Sequence, residues 1–115
     1  MSKVGDERIR ARLRRLAERG TLMTSVCTGA LACADAGLLN GRAATTHWSA
    51  LEDLAELGRV DVRPEARFVD AGEVITAAGV SAGIDMALHL VARLHSEGRA
   101  RDVRRHIQYD PEPPV

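Results

Sequence analysis

Between Thr21 and Ala36 a β-branched, apolar stretch, Thr21-Leu22-Met23-Thr24-Ser25-Val26, runs almost directly into the Ala/Leu-rich stretch Ala30 to Ala36. Only Cys27-Thr28-Gly29 separates them. The first stretch favours a buried parallel strand and the second a helix, so the chain turns sharply through small residues. A strand, bend and helix in that order commit the chain to α/β layering, a parallel sheet covered by helices.

The bend is also where chemistry would sit. A cysteine on a tight strand-to-helix turn projects above the carboxyl edge of the sheet, and Gly29, having no Cβ, lets backbone approach it closely. The free N–H groups of the first helical turn, Gly29 and Ala30 among them, act with the helix dipole to favour an anion there. This predicts a thiolate at Cys27. The bland alternative is a cysteine buried as a small hydrophobe. Cys33 serves as an internal comparison: it lies mid-helix in Leu31-Ala32-Cys33-Ala34, with no turn or polar neighbour, and reads as core packing. Six residues apart on one helix, the two sulfurs are about 9 Å from each other, too far for a disulfide. Nothing points to an oxidising compartment.

With 115 residues and 45% hydrophobic content, the chain suits one folded unit. Its 16 basic and 16 acidic side chains cancel. No global field therefore recruits nucleic acid or an anionic membrane. No apolar run approaches the ~20 residues that cross a bilayer, and the first residues lack the apolar core of a secretion signal, so the reading is cytoplasmic.

Periodicity predicts an amphipathic helix from Asp6 to Glu18, with Ile9, Leu13, Leu16 and Ala17 inward, the arginines solvated and Gly20 capping its end. Beyond the cysteine helix, a strand is expected over residues 42–46 and a helix over 49–57, with Leu51, Leu54 and Leu57 inward. Short strands are expected at 60–62, 67–70 and 74–77, the last two joined by a hairpin turn at Asp70-Ala71-Gly72-Glu73. A long helix then runs to about Leu94, with Ser81 as its cap and Ile84, Leu88, Val91 and Leu94 on the inward stripe. A last helix spans 99–107. Residues 108–115, rich in proline, form an extended tail on what is otherwise a single domain over 1–115.

Four blocks carry a family resemblance: Ser25-Val26-Cys27-Thr28-Gly29-Ala30; Ala36-Gly37-Leu38-Leu39-Asn40-Gly41-Arg42; Ala44-Thr45-Thr46-His47-Trp48; and Ile75-Thr76-Ala77-Ala78-Gly79-Val80-Ser81-Ala82-Gly83-Ile84-Asp85. In this order they resemble the ThiJ/PfpI family of the class I glutamine amidotransferase-like superfamily. The ending Ile107-Gln108-Tyr109-Asp110-Pro111-Glu112-Pro113-Pro114 is similar to that of its isonitrile hydratase branch. A second branch shares the central blocks and continues into a helix-turn-helix module. The resemblance implies a partial flavodoxin-like three-layer sandwich with a parallel sheet and a small hairpin, of which this chain supplies the C-terminal half.

It also implies roles. Cys27 matches the elbow nucleophile, Thr28 the residue whose N–H and hydroxyl assist beside it, and His47 a histidine placed near the thiol. Gly29 and Ala30 would give backbone support to an anion. The reaction implied is attack on an isonitrile carbon, giving an N-substituted formamide once water adds. That chemistry needs a soft nucleophile and a nearby acid. The family's acid lies upstream of the elbow, in a segment with no counterpart here. Asp35 and Asp85 are the substitutes within the chain, and each reads more simply as a structural or solvated carboxylate.

His47 leaves a strand end and enters a helix, so it could protonate at the thiol or merely bond backbone at the helix start. Trp48, the only tryptophan, reads as packing more readily than as a substrate wall. His89, His95 and His106 show no metal spacing with the cysteines, so neither metal nor other cofactor is expected. The partners expected are a small-molecule substrate and, because a half sheet exposes an apolar edge, a second copy or the missing amino-terminal segment. Three readings stay open: a cysteine-dependent hydratase completed by another chain, a thiol-based oxidant sensor or binding module, and a catalytically silent remnant.

Overall fold

The computed structural model describes residues 5–114. Helix α1 (Glu7–Glu18) starts where Asp6 accepts hydrogen bonds from the N–H groups of Arg8 and Ile9. Its turn onto β1 (Met23–Ser25) passes through Gly20 at φ +82°, a conformation that suits glycine. A single 3-10 turn, Cys27–Gly29, then leads into α2 (Ala30–Asp35). The remaining elements are β2 (Ala43–Ala44), a 3-10 turn at Trp48–Ala50, α3 (Leu51–Leu57), β3 (Asp61–Val62), β4 (Phe68–Asp70), β5 (Val74–Ala77), α4 (Val80–Leu94) and α5 (Glu97–His106).

Strand β5 is the hub of a three-stranded sheet ordered β1-β5-β4. It runs parallel to β1, with Ser25 opposite Thr76, and antiparallel to β4, with Val69 also opposite Thr76. β2 and β3 form a separate parallel pair. The expected α/β layering with a small hairpin is therefore what the chain adopts. All four β5 side chains are buried, as a strand covered on both faces requires.

The core has two parts. Met23, Leu31, Cys33, Leu39 and Leu54 pack with half-buried Leu13 and Leu16 of α1 on one side of the sheet. Ile75, Ala77 and Met86 pack with Leu22, Phe68 and Leu90 on the other. Cys33 is core, as its mid-helix position predicts.

Several expectations need correction. The strand over 42–46 shrinks to Ala43–Ala44, because Thr45 and Thr46 leave the ladder for side-chain bonds: Thr45 N–H to Thr76 Oγ1 at 2.9 Å and Thr46 Oγ1 to the Cys27 carbonyl at 2.6 Å. Ser81 does not cap α4; Gly79 holds that position without a side-chain bond, and Ser81 Oγ accepts from Arg67 at 3.3 Å. The inward stripe of α4 is Ala82, Met86 and Leu90, while Ile84 and Leu94 are exposed. Both stripes are apolar at helical spacing, and the sheet takes the one carrying Met86, which reaches Ile75 and Ala77. Trp48 is exposed rather than packed. The last helix starts two residues early because Ser96 caps it, accepting from Arg99 N–H at 3.0 Å.

A clasp ties the hairpin to α4. Asp70 accepts from His89 Nε2 at 2.7 Å and from Arg93 at 3.0 Å, while Arg93 also donates to the Gly72 carbonyl at 2.6 Å. The His89 bond, with the Gly72 N–H and Arg93, holds the Asp70 carboxyl below its ordinary range despite the burial that opposes it. A folded-state value below the unfolded one, about 3.9, gives stability that is fully present above that value and lost as pH falls through the folded one. Asp70→Asn is therefore expected to lower the unfolding free energy at neutral pH by about 1–2 kcal/mol, allowing for partial exposure. Urea titrations at several pH values would check it: the parent should lose stability relative to the variant below about pH 4, and parallel pH profiles would refute the clasp.

Candidate functional site at the Cys27 elbow

Val26 is still extended, at φ −126° and ψ 151°, and the next residue reverses the chain. Cys27 does so at φ +52°, a conformation that costs an L-residue of order 1–2 kcal/mol and persists only where its surroundings enforce it. Here the enforcement is visible. The Cys27 N–H donates to the Ala78 carbonyl at 2.8 Å, just beyond the end of β5. The Cys27 carbonyl accepts from Thr46 Oγ1 at 2.6 Å and from the His47 N–H at 3.3 Å. Gly29 closes the turn from the other side: a Cβ there would sit 3.4 Å from that of Ser25. The thiol is half-buried and free. Thr28, beside it, is also half-buried.

Of the two amides expected to support an anion, that of Gly29 donates to the Val26 carbonyl at 3.0 Å and that of Ala30 to the Thr28 carbonyl. Neither is directed at the thiol in this arrangement. Cys33 contrasts with Cys27, since burial pushes its thiol up from its ordinary value and leaves it a poor nucleophile.

His47 belongs to the elbow through its backbone. Its ring caps the following turn: Nδ1 accepts from the Ser49 N–H at 3.2 Å and lies 2.8 Å from Ser49 Oγ. An accepting Nδ1 leaves the proton of the neutral ring on Nε2. The ring stands 5.3 Å from that of Trp48 and backs onto Gly79, where a Cβ would come within 3.6 Å of Cδ2. Among the described residues no hydrogen bond joins the ring to the Cys27 thiol.

Both candidate acids are committed elsewhere. Asp35 accepts from the Gly5 N–H at 3.0 Å and from Arg10 Nε at 3.1 Å, and these bonds hold its carboxyl below the ordinary range. Asp85 meets Arg67 with one oxygen and the Tyr109 hydroxyl, at 2.7 Å, with the other. Burial acts to raise it, but Tyr109 and Arg67 outweigh burial and keep it ionised. Carboxylates fixed in this way are not proton donors. The same contact shows that the tail is anchored at Tyr109, with irregular backbone only from there through Pro114. Among the described residues no group of three or more His, Cys, Asp and Glu gathers to hold a metal. No described helix is long and apolar enough to cross a membrane.

The profile of the DJ-1/PfpI family matches residues 2–93. The chain belongs to that family. It is similar to isonitrile hydratase from Pseudomonas putida, 40% identical over 109 residues that cover 95% of this chain and 47% of that protein. It is also 40% identical over 84 residues to the HTH-type transcriptional regulator CdhR of Pseudomonas aeruginosa, covering 72% of this chain and 25% of the regulator. Among solved structures, a ThiJ/PfpI family protein from Pseudomonas syringae superposes with TM-score 0.82 at 39% identity, over 99% of this chain and 46% of that one. Drosophila melanogaster DJ-1beta shares the fold at 18% identity, TM-score 0.82. The chain spans about half the length of the hydratase it matches.

The residues that sequence reasoning passed over are the two threonines before His47. Their signal was an unbroken pair of hydroxyls at the end of an expected strand, where ladder bonds should have sufficed. They predict opposite outcomes. Thr46→Val removes a bond to the strained Cys27 peptide and should cost about 1–2 kcal/mol. Thr45 Oγ1 is buried without a partner among the described residues, so Thr45→Val should be neutral or stabilising by up to about 1 kcal/mol. Urea unfolding of both variants checks this, and equal destabilisation would contradict it.

Proposed function

We propose that this chain carries the nucleophile-bearing half of a cysteine-dependent hydratase that converts isonitriles to N-substituted formamides. The observation that carries the reading is Cys27 held at positive φ between strand and helix by three bonds to two separate segments, Ala78 and Thr46-His47. The similarity to isonitrile hydratase supports the substrate class.

In this reading the Cys27 sulfur uses an electron pair to form a C–S bond at the isonitrile carbon, and an acid delivers a proton to the same carbon, leaving a thioimidate. Water adds to that carbon and a proton reaches the nitrogen. Breaking the C–S bond then releases the formamide and the thiolate, the acid regains its proton, and one water is consumed. Thr28 supplies its hydroxyl and N–H next to the sulfur, and His47, through Nε2, faces the water or the nitrogen. The acid comes from polypeptide outside the described residues, since Asp35 and Asp85 are spent as ion-paired bases.

The test incubates a simple alkyl isonitrile with the chain alone and with the part of the Pseudomonas putida enzyme that it does not match. Formamide is followed by NMR. Product is expected in the supplemented reaction and should fall at least about 100-fold in Cys27→Ala, as loss of a covalent nucleophile requires. No product in either mixture, with the intact Pseudomonas putida enzyme active alongside, would refute the reading.

The match to CdhR favours a second reading, a binding or oxidant-sensing module. Mild peroxide should then add one or two oxygens to Cys27 while buried Cys33 stays unmodified. A peptide-level mass map showing oxygen on Cys33 and none on Cys27 would exclude it.

A further inference from the structure

The segment from Ala36 to Arg42 takes no part in the elbow. Three of its side chains, Leu38, Asn40 and Arg42, instead wall a cleft of about 290 Å³ at the other end of β1, shared with the turn after α1 and with Met23, Glu73 and Val74. The space holds about ten water-sized groups, enough for a small organic molecule. Its lining is divided. Met23 and Val74 are buried and Leu38 half-buried, which gives an apolar side, while Asn40, Arg42 and Glu73 give a polar one.

Arg42 is held in place independently of any ligand. Its N–H donates to the Leu39 carbonyl at 3.0 Å, and its carbonyl accepts from the Asp61 N–H at 2.9 Å. Nη1 donates to the Ala71 carbonyl at 2.8 Å and Nη2 to Glu73 Oε2 at 3.1 Å. The Nε and Nη2 N–H groups form the guanidinium edge that matches a carboxylate through two parallel bonds, and Glu73 engages only one of them. The Glu73 side chain is 83% exposed, so this contact is worth little and exchanges readily. Asn40 offers a further donor. Its amide makes no hydrogen bond among the described residues and rests by two glycines, where a Cβ on Gly37 would lie 3.6 Å from Nδ2 and one on Gly58 3.4 Å from Oδ1.

We propose that this cleft binds a small monocarboxylate with a compact hydrocarbon body. The ligand carboxylate displaces Glu73, takes both N–H groups of the Arg42 edge and accepts from Asn40 Nδ2, and the hydrocarbon lies on Met23, Leu38 and Val74. The carbonyls at the end of α1, which would repel an anion, are occupied: that of Leu16 accepts from the Thr21 N–H at 3.1 Å and that of Ala17 from the Gly20 N–H at 3.0 Å. The site is separate from Cys27 and does not rest on the hydratase reading.

The test titrates the isotope-labelled chain with benzoate and with benzamide, its uncharged counterpart, and follows the backbone amides by NMR. Benzoate is expected to move the amides of Thr21, Leu38 and Asn40, with half-saturation at least about tenfold below that of benzamide. Glu73→Gln removes the competing carboxylate, so benzoate should bind about threefold more tightly to it while benzamide is unaffected. Arg42→Gln should erase the preference for benzoate, and the exposed Glu73→Gln change decides the matter if the arginine variant does not fold. Equal half-saturation for the two compounds, weaker benzoate binding in Glu73→Gln, or shifts confined to the arginines of α5 would overturn the proposal.

Discussion

Three hydrogen bonds to the backbone of one residue hold the site together. Cys27 gives its N–H to Ala78 and takes bonds on its carbonyl from Thr46 and His47, so the backbone at the thiol is tied at once to the end of β5 and to the segment that enters α3. A positive φ at a cysteine is unfavourable in isolation. Bonds worth roughly 1 kcal/mol each, made to partners already fixed by buried β5 and by the Leu54 core, are enough to hold it.

This arrangement explains why the sheet is built around β5. Its four residues are buried, its Thr76 hydroxyl accepts from Thr45, and its continuation at Ala78 receives Cys27. The next residue, Gly79, leaves room for the His47 ring and begins α4. One strand and the two residues after it therefore position the Cys27 backbone, the His47 ring and the start of α4. The Asp70, His89 and Arg93 clasp secures the other edge of the same strand pair, far from chemistry but linked to it through the β4 to β5 ladder. A cleft of about 290 Å³, lined by Met23, Asn40, Arg42 and Val74 among others, opens at the opposite end of β1 from Cys27 and has no part in the elbow.

The chain spans about half of the hydratase it resembles. Its Cys27 backbone is firmly positioned, and the two carboxylates weighed as acids, Asp35 and Asp85, are locked as ionised partners of Arg10 and of Arg67 with Tyr109.

Local chemistry was legible in the sequence. β-Branched residues, then small ones, then alanine and leucine determined strand, bend and helix; the hairpin followed from Asp70-Ala71-Gly72-Glu73; and a cysteine at the bend was distinguishable from one in mid-helix. These signals are short-range, and neighbouring residues decide them. What only the tertiary structure decided was which surface each element offers to its neighbours. Two apolar stripes on α4 were equivalent until Met86 met Ile75 and Ala77, which left Ile84 and Leu94 outside. Trp48 had no core left to enter. Thr46 could be assigned to Cys27, and Asp85 to Tyr109, only once segments 19 and 24 residues apart were brought together. Periodicity records that a face is apolar, and only the shape of the opposing surface selects the face that is buried.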